Sequence, residues 1–370
     1  MSAMAAPKVL CVVGARPNFM KIGPVIRALK GAGMAAPLVH TGQHYDEAMN
    51  DRFFADLGLP RPDVNLEVGS GSHAQQTAEI MRRFEPVLDD LAPQALLVVG
   101  DVNSTIACAL VAAKKGVTVV HVEAGLRSYD RAMPEEINRV LTDQISDLLF
   151  TTERDALANL TREGIDPARV HFVGNVMIDT LVMNRPRAVP ATATLEAVGA
   201  DFRTGYALVT LHRPSNVDDP VVLARLLGGL AEIARQTPLV FPIHPRTRAR
   251  IEAAGLMDRL DNARTVLLPP AGYLEMLGLM AGARLVITDS GGVQEETTAL
   301  GVPCITVREN TERPITVSEG TNTVVGTDPA LLLAAWRDVL ASGGKTGRIP
   351  EFWDGKASER IASILYQHLR

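Results

Sequence analysis

The sequence predicts an α/β protein made of two parallel sheets that face each other across a cleft. Short β-branched runs alternate with longer stretches of helical periodicity along all 370 residues, and Gly or a small polar residue marks each switch. That is the order of a parallel α/β sheet. Residues 95–99, Ala-Leu-Leu-Val-Val, are apolar throughout, as expected for a strand covered on both faces. The alternation halts around Asn184–Ala200, where Pro, Ala and Thr dominate, and then restarts. A norm of about 150 residues per domain divides the length in two as well.

In the first half, strands are expected at Lys8–Val13, Pro37–Thr41, Val64–Val68, Ala95–Val99, Val117–Val122, Leu148–Thr152 and Val170–Val173, with helices between them. Residues 1–183 thus form an N-terminal domain and 184–200 a linker. Residues 201–353 repeat the grammar, with strands at Tyr206–Leu211, Leu239–Ile243, Thr265–Leu268, Arg284–Thr288, Cys304–Val307 and Thr323–Val325. A last helical stretch, Lys356–Leu369, follows a segment containing Pro, Trp and Gly, so residues 354–370 are expected to return to the first domain. There is no solenoid-type repeat and no low-complexity tract.

Lys+Arg 37 against Asp+Glu 42 gives a net charge of −5 with both signs scattered. Neither a nucleic-acid-coating surface nor an acidic tail fits that balance, which points to a small-molecule partner. Cys11, Cys108 and Cys304 are far apart among apolar neighbours, which argues against a disulfide framework or zinc cluster and for a reducing cytoplasm. The N-terminus lacks a charged start followed by an apolar core, and no run approaches the ~18 apolar residues of a membrane span. The expectation is a soluble, unprocessed, cytoplasmic chain.

The most informative segment is Leu285-Val-Ile-Thr-Asp-Ser-Gly-Gly-Val-Gln-Glu-Glu-Thr297, a strand running through Ser290, Gly291 and Gly292 into a helix. Free amides at a helix N-terminus, closely approached because glycine has no side chain, suit a diphosphate. Glu296 lies one turn into that helix, where its carboxylate could accept ribose hydroxyls. Arg313 follows the next strand on the same sheet edge. Near the N-terminus, Gly14-Ala-Arg16-Pro17 follows the first strand, with Lys21 one turn on, but the glycine spacing matches neither a Walker loop nor a GxGxxG fingerprint.

Asp101, Glu123 and Glu135 all follow strand ends or open a helix on one edge of the first sheet. Carboxylates crowded there would raise one another's pKa, which allows one to act as acid and another as base. The structural alternatives are an N-cap for Asp101, a surface position for Glu123 and a favourable first-turn charge for Glu135. His212 ends the first strand of the second half and suits contact with a phosphate or leaving group. His244 and His44, the latter beside Gln43, are further candidates. No metal-ligand spacing occurs, so no metal or other cofactor is expected.

Together these segments resemble the non-hydrolysing UDP-N-acetylglucosamine 2-epimerases. Gly14-Ala-Arg-Pro17, Gly100-Asp101, His121-Val-Glu-Ala-Gly-Leu-Arg127, Pro134-Glu-Glu-Ile-Asn-Arg139, Gly174-Asn175, His212-Arg213, Thr288-Asp-Ser-Gly-Gly-Val-Gln-Glu-Glu296 and Thr311-Glu-Arg-Pro314 occur in family order over nearly the whole chain. The resemblance implies two Rossmann-like domains of GT-B type, usually as a homodimer, with a UDP-sugar as substrate. It further implies anti elimination of UDP to a 2-acetamidoglucal and re-addition with the proton on the opposite face. Asp101, Glu123 and Glu135 stand at the family's proton-transfer positions. Arg16, Lys21 and His212 stand where phosphate is held or UDP departure aided, and Ser290, Glu296 and Arg313 at UDP-binding positions. Where many relatives carry an aromatic residue near uracil, this chain has Tyr273-Leu-Glu-Met276, leaving Met276 to pack on the base. A second, activating substrate site in some members uses a Gln-His loop and an arginine. Gln43 and His44 are present, but Gly69-Ser-Gly-Ser-His73 has no arginine. A decorated UDP-diacetamido-glucuronate substrate, a hydrolysing 2-epimerase, a glycosyltransferase and a nucleotide-sugar sensor are the alternatives.

Overall fold

In the computed structural model, residues 6–42, 57–59, 61–202, 205–260 and 264–370 are described. Gln43 and His44 lie outside them. The chain divides into two compact units, Met1–Met183 with Glu351–Arg370, and Asn184–Pro350.

Unit 1 contains β1 (Val9–Val13), α1 (Arg16–Gly31), β2 (Leu38–His40), β3 (Val64–Asn65), α2 (His73–Leu91), β4 (Ala95–Val99), α3 (Asn103–Lys114), β5 (Thr118–Ala124), α4 (Pro134–Ile145), β6 (Leu148–Thr151), α5 (Asp155–Arg162), β7 (Val170–Phe172) and α6 (Val176–Asn184), which ends at the unit boundary. The seven strands are ordered β3-β2-β1-β4-β5-β6-β7, and every pairing is parallel. Val9, Cys11 and Val13 enter one core together with α1, while Leu10 and Val12 enter another with α2 and α3. β4 divides in the same way, with Ala95, Leu97 and Val99 on one side and Leu96 and Val98 on the other. This two-sided burial is why both strands read as continuous apolar runs.

Unit 2 contains α7 (Ala191–Glu196), β8 (Ala207–Thr210), α8 (Pro214–Val217), α9 (Pro220–Ala234), β9 (Leu239–Pro242), α10 (Pro245–Ala253), β10 (Thr265–Leu268), α11 (Tyr273–Gly282), β11 (Leu285–Thr288), α12 (Gly291–Leu300), β12 (Cys304–Thr306), α13 (Pro314–Ser318), β13 (Asn322–Val324) and α14 (Pro329–Ser342). Its parallel sheet runs β10-β9-β8-β11-β12-β13. In both sheets the order reverses beside the first strand, at β1/β4 and at β8/β11. Open α/β sheets bind ligands outside the carboxyl ends of the strands at such a point.

Residues 184–200, read from sequence as a linker, are built into unit 2. Val189 donates its amide to Leu274 O at 3.0 Å, and a side chain at Gly278 would meet Val189 O at 1.7 Å. Ala191 makes a second close approach, its Cβ lying 2.9 Å from where a Cβ at Gly282 would stand, and Leu195 is buried, while Pro186, Pro190 and Thr192 remain exposed. At the other end, α15 (Ala357–His368) packs Ala357, Ile361, Ala362 and Leu365 into the core that surrounds α1. Asp179 of α6 accepts the first amides of α15, from Ala357 at 3.0 Å and Ser358 at 2.7 Å. The return to unit 1 begins at Glu351, a few residues before the boundary read from sequence.

Gly174 fixes that return. Its φ is +90°, and a Cβ there would lie 2.0 Å from Phe352 O. Gly174→Ala is expected to cost about 3 kcal/mol through left-handed strain and a backbone clash. A lowered thermal midpoint with early proteolysis of the segment after Pro350 checks this.

Candidate active site

In unit 1, the turn after β1 is braced to the end of β4. Asn18 donates to Val99 O at 2.8 Å and accepts the Ala15 amide at 3.2 Å. β4 leads into Gly100 (φ +68°), where a side chain would come within 3.1 Å of Asn18 Nδ2, 3.2 Å of Lys21 Nζ and 3.4 Å of Glu123 Oε2. Glycine therefore satisfies both the backbone and the space. Arg16 is the first residue of α1, and Lys21, one turn on, forms a buried ion pair with Glu123.

Glu123 lies inside β5, beyond the expected end at Val122 and away from the surface. The pairing with β6 shifts register between Val122 and Ala124, and Glu123 itself has φ +72°. It is thus the extra residue of a bulge, a device that re-aims a side chain at a sheet edge.

Asp101 follows Gly100 and pairs with Arg139 of α4, which reaches it through Nε and Nη2. Arg139 also pairs with the buried Glu136, and Asn138 donates to Asp101 O at 2.9 Å. Asp101 does not cap α3, whose N-cap is Val102. Glu135, in the first turn of α4, is half-buried and has no side-chain partner among the described residues. The anticipated crowding of bare carboxylates is corrected here, because Asp101 and Glu123 each carry their own cation.

Unit 2 is organised around Asp289, which is wholly buried just past β11. It accepts the amides of His212 at 3.0 Å and Arg213 at 2.9 Å, Asn216 Nδ2 at 3.2 Å, and a 2.9 Å contact from His212 Nδ1. Burial pushes the Asp289 carboxyl up, but the His212 ring and these amides outweigh it and hold it below the usual range. His212 is oriented through Nδ1, and its half-exposed ring presents the other nitrogen, an arrangement suited to proton donation or anion contact.

Ser290 makes no side-chain cap on α12. Among the described residues the amides of Gly291 and Gly292 have no protein partner. An uncapped helix N-terminus of this kind directs free donors at an incoming anion. Arginines gather beside it: Glu312, whose Oε1 would lie 2.7 Å from a Cβ at Gly291, pairs with Arg308 at 2.8 Å and Arg213 at 3.3 Å, while Arg313 pairs with Glu295 at 2.7 Å.

Glu296, one turn into α12, accepts a hydrogen bond from Tyr273 at 2.9 Å. Burial pushes its carboxyl up to about 7, with Tyr273 opposing and the neighbouring Glu295 reinforcing. Met276 is half-buried in the first turn of α11, the helix that Tyr273 opens. His244 caps α10, its Nδ1 accepting the Arg246 amide at 3.2 Å.

A family model described as UDP-N-acetylglucosamine 2-epimerase matches residues 27–366. The chain belongs to the UDP-N-acetylglucosamine 2-epimerase family. A relative of that name from Methanocaldococcus jannaschii is 43% identical over 366 residues, covering 97% of this chain and 98% of its own length. A UDP-2,3-diacetamido-2,3-dideoxy-D-glucuronate 2-epimerase from Pseudomonas aeruginosa is 42% identical over 97% of this chain and 99% of its own. Among solved structures, the M. jannaschii epimerase in complex with UDP-GlcNAc and UDP is similar with a TM-score of 0.89 at 43% identity, over 97% of this chain and 99% of that one.

In this family member, sequence reading overlooked three partners, Asp289 of His212, Tyr273 of Glu296 and Arg139 of Asp101, and the buried pair of His121 with Asp143. One signal was available. Glu135, Arg139 and Asp143 recur at i, i+4 and i+8 on α4, so one face of the helix is ionised throughout.

The raised Glu296 carboxyl has a stability consequence. An acid whose pKa rises from 4.5 to about 7 on folding costs nothing below its unfolded value, and the cost grows with pH until it is complete above 7. Glu296→Gln is therefore expected to stabilise the protein by about 3 kcal/mol at about pH 8, and hardly at all near pH 4.5. Melting curves of both proteins across that range test it through the widening gap in midpoints.

Proposed function

We propose that this protein interconverts UDP-N-acetylglucosamine and UDP-N-acetylmannosamine by inverting C2. The observation that carries the reading is the family match over residues 27–366. It is supported by acids kept at one sheet's switch point and open helix amides at the other's.

The C2 proton passes to a carboxylate of unit 1, the C1–O bond to UDP breaks, and a C1=C2 double bond forms. In the return step UDP oxygen attacks C1, and C2 receives a proton on the opposite face. Two faces need two proton-transfer groups, and Asp101, Glu123 and Glu135 are the three candidates for them. Lys21, Arg16 and His212 assist departure of the diphosphate. The amides of Gly291 and Gly292, with Ser290 and Arg313, hold UDP while it is detached, Glu296 accepts ribose hydroxyls, and Met276 packs on uracil. Retaining the leaving group keeps re-addition intramolecular in effect.

The 42% identical P. aeruginosa relative supports a second substrate, the diacetamido-glucuronate, for the same chemistry. No helix among the described residues is long and apolar enough to cross a membrane, and the three cysteines are free and buried, which supports a cytoplasmic site of action. A homodimer is inferred from the resemblance and from α4, whose outer residues Ile137 and Leu141 are 43% and 50% exposed one turn apart. Ile137→Asp with Leu141→Asp is expected to halve the mass seen by sedimentation.

Incubation with UDP-N-acetylglucosamine in D2O, followed by NMR, is expected to give deuterium at C2 in both epimers without net UDP release. Stoichiometric UDP and free sugar would mean hydrolysis, and exchange confined to the uronate would move the assignment to the second substrate. Binding without exchange would overturn catalysis altogether. Asp101→Asn is expected to lose about 100-fold or more in turnover while UDP affinity stays within about twofold.

A further inference from the structure

We propose that Asp143 is the positioning residue of unit 1, locking both proton-transfer segments from a single buried carboxylate; this rests on the proton-transfer reading above. Asp143 and His121 are wholly buried. Asp143 Oδ1 meets His121 Nδ1 at 2.6 Å, and His121 Nε2 meets Gly100 O at 2.9 Å. The carboxylate on one ring nitrogen and the carbonyl on the other are both acceptors, so each contact calls for a ring N–H. Through this relay Asp143 holds the turn that carries Asp101.

Its second oxygen performs the matching task for Glu123. Oδ2 accepts the Gly125 amide at 3.0 Å and pairs with Arg127 at 2.7 Å. Arg127 is in turn held by Glu163 at 2.6 Å. Gly125 has φ +79°, and a side chain there would meet Ala156 O at 2.8 Å, so the chain just beyond Glu123 has one allowed path.

Glu123 lies between these two anchors with φ +72°, a conformation that costs a non-glycine residue energy and persists only where its surroundings over-determine it. His121 on one side and Gly125 on the other supply that determination, and both answer to Asp143. The same helix sends Arg139 to Asp101 and carries Glu135. A loosened Asp143 therefore misplaces the acids without touching substrate.

Asp143→Asn in the full chain is the test. Turnover, measured well below the variant's own melting midpoint, is expected to fall about 100-fold. KM for UDP-N-acetylglucosamine and the Kd of UDP should stay within about threefold, because the open amides of α12 belong to unit 2. Turnover within about threefold of wild type despite a lowered midpoint would reduce Asp143 to a stability role and overturn the proposal. So would a parallel loss of UDP affinity. Should Asp143→Asn not fold, 15N-histidine NMR of the wild-type protein decides, with His121→Asn identifying the resonance. Slowly exchanging protons on both nitrogens of the His121 ring support the relay, and a proton on one alone overturns it. Lost turnover in Asp143→Asn beside intact turnover in Asp101→Asn and Glu123→Gln would overturn the assigned proton-transfer groups and leave the positioning effect of Asp143 standing.

Discussion

Helix α4 turns its ionised face inward, and unit 1 is arranged around that constraint. Glu136, Arg139 and Asp143 are buried, while Ile137 and Leu141 face out. Buried charges are tolerated only with partners and further hydrogen bonds. Each has them: Glu136 takes the Ser128 and Tyr129 amides, Arg139 takes Asp101, and Asp143 takes His121, Arg127 and Gly125. Replacing buried ion pairs by apolar residues of similar volume is often neutral or stabilising, so such pairs are weak evidence of added stability. These pairs fix where the ends of β4 and β5 point.

The two units share strand order but differ in how they handle charge. Unit 1 binds two of its three acids to cations, Glu123 to Lys21 and Asp101 to Arg139. Unit 2 leaves donors open at the start of α12, and burial there pushes the Glu296 carboxyl up to about 7. Open amides favour an incoming anion because they arrive with no internal partner to displace. Paired carboxylates retain a defined orientation whether or not a ligand is present.

The strands were readable in sequence because both faces of each sheet are covered, so apolar runs such as Ala95–Val99 carry their own signature. The strand-end residues were readable because a parallel sheet gathers successive strand ends on one edge. The partners were not. Lys21 and Glu123 are 102 residues apart, and His212 and Asp289 are 77 apart. No local period encodes pairs that long-range topology creates. The attachment of residues 184–200 to unit 2 was hidden for a related reason: the contacts that make it, Val189 with Leu274 and with Gly278, join residues far apart in sequence.

Glu123 shows how far local and global requirements diverge at the site. A bulge with φ +72° is most easily met by glycine, and glycine does stand at the neighbouring left-handed positions Gly100 and Gly125. A glutamate held there has no propensity argument in its favour. Its carboxylate has to reach Lys21, and the bulge turns it toward that partner where a regular strand would send it to the opposite face. Strain at one residue, bounded by glycines and by a buried carboxylate bonded on both sides of it, persists because the surrounding contacts over-determine that backbone.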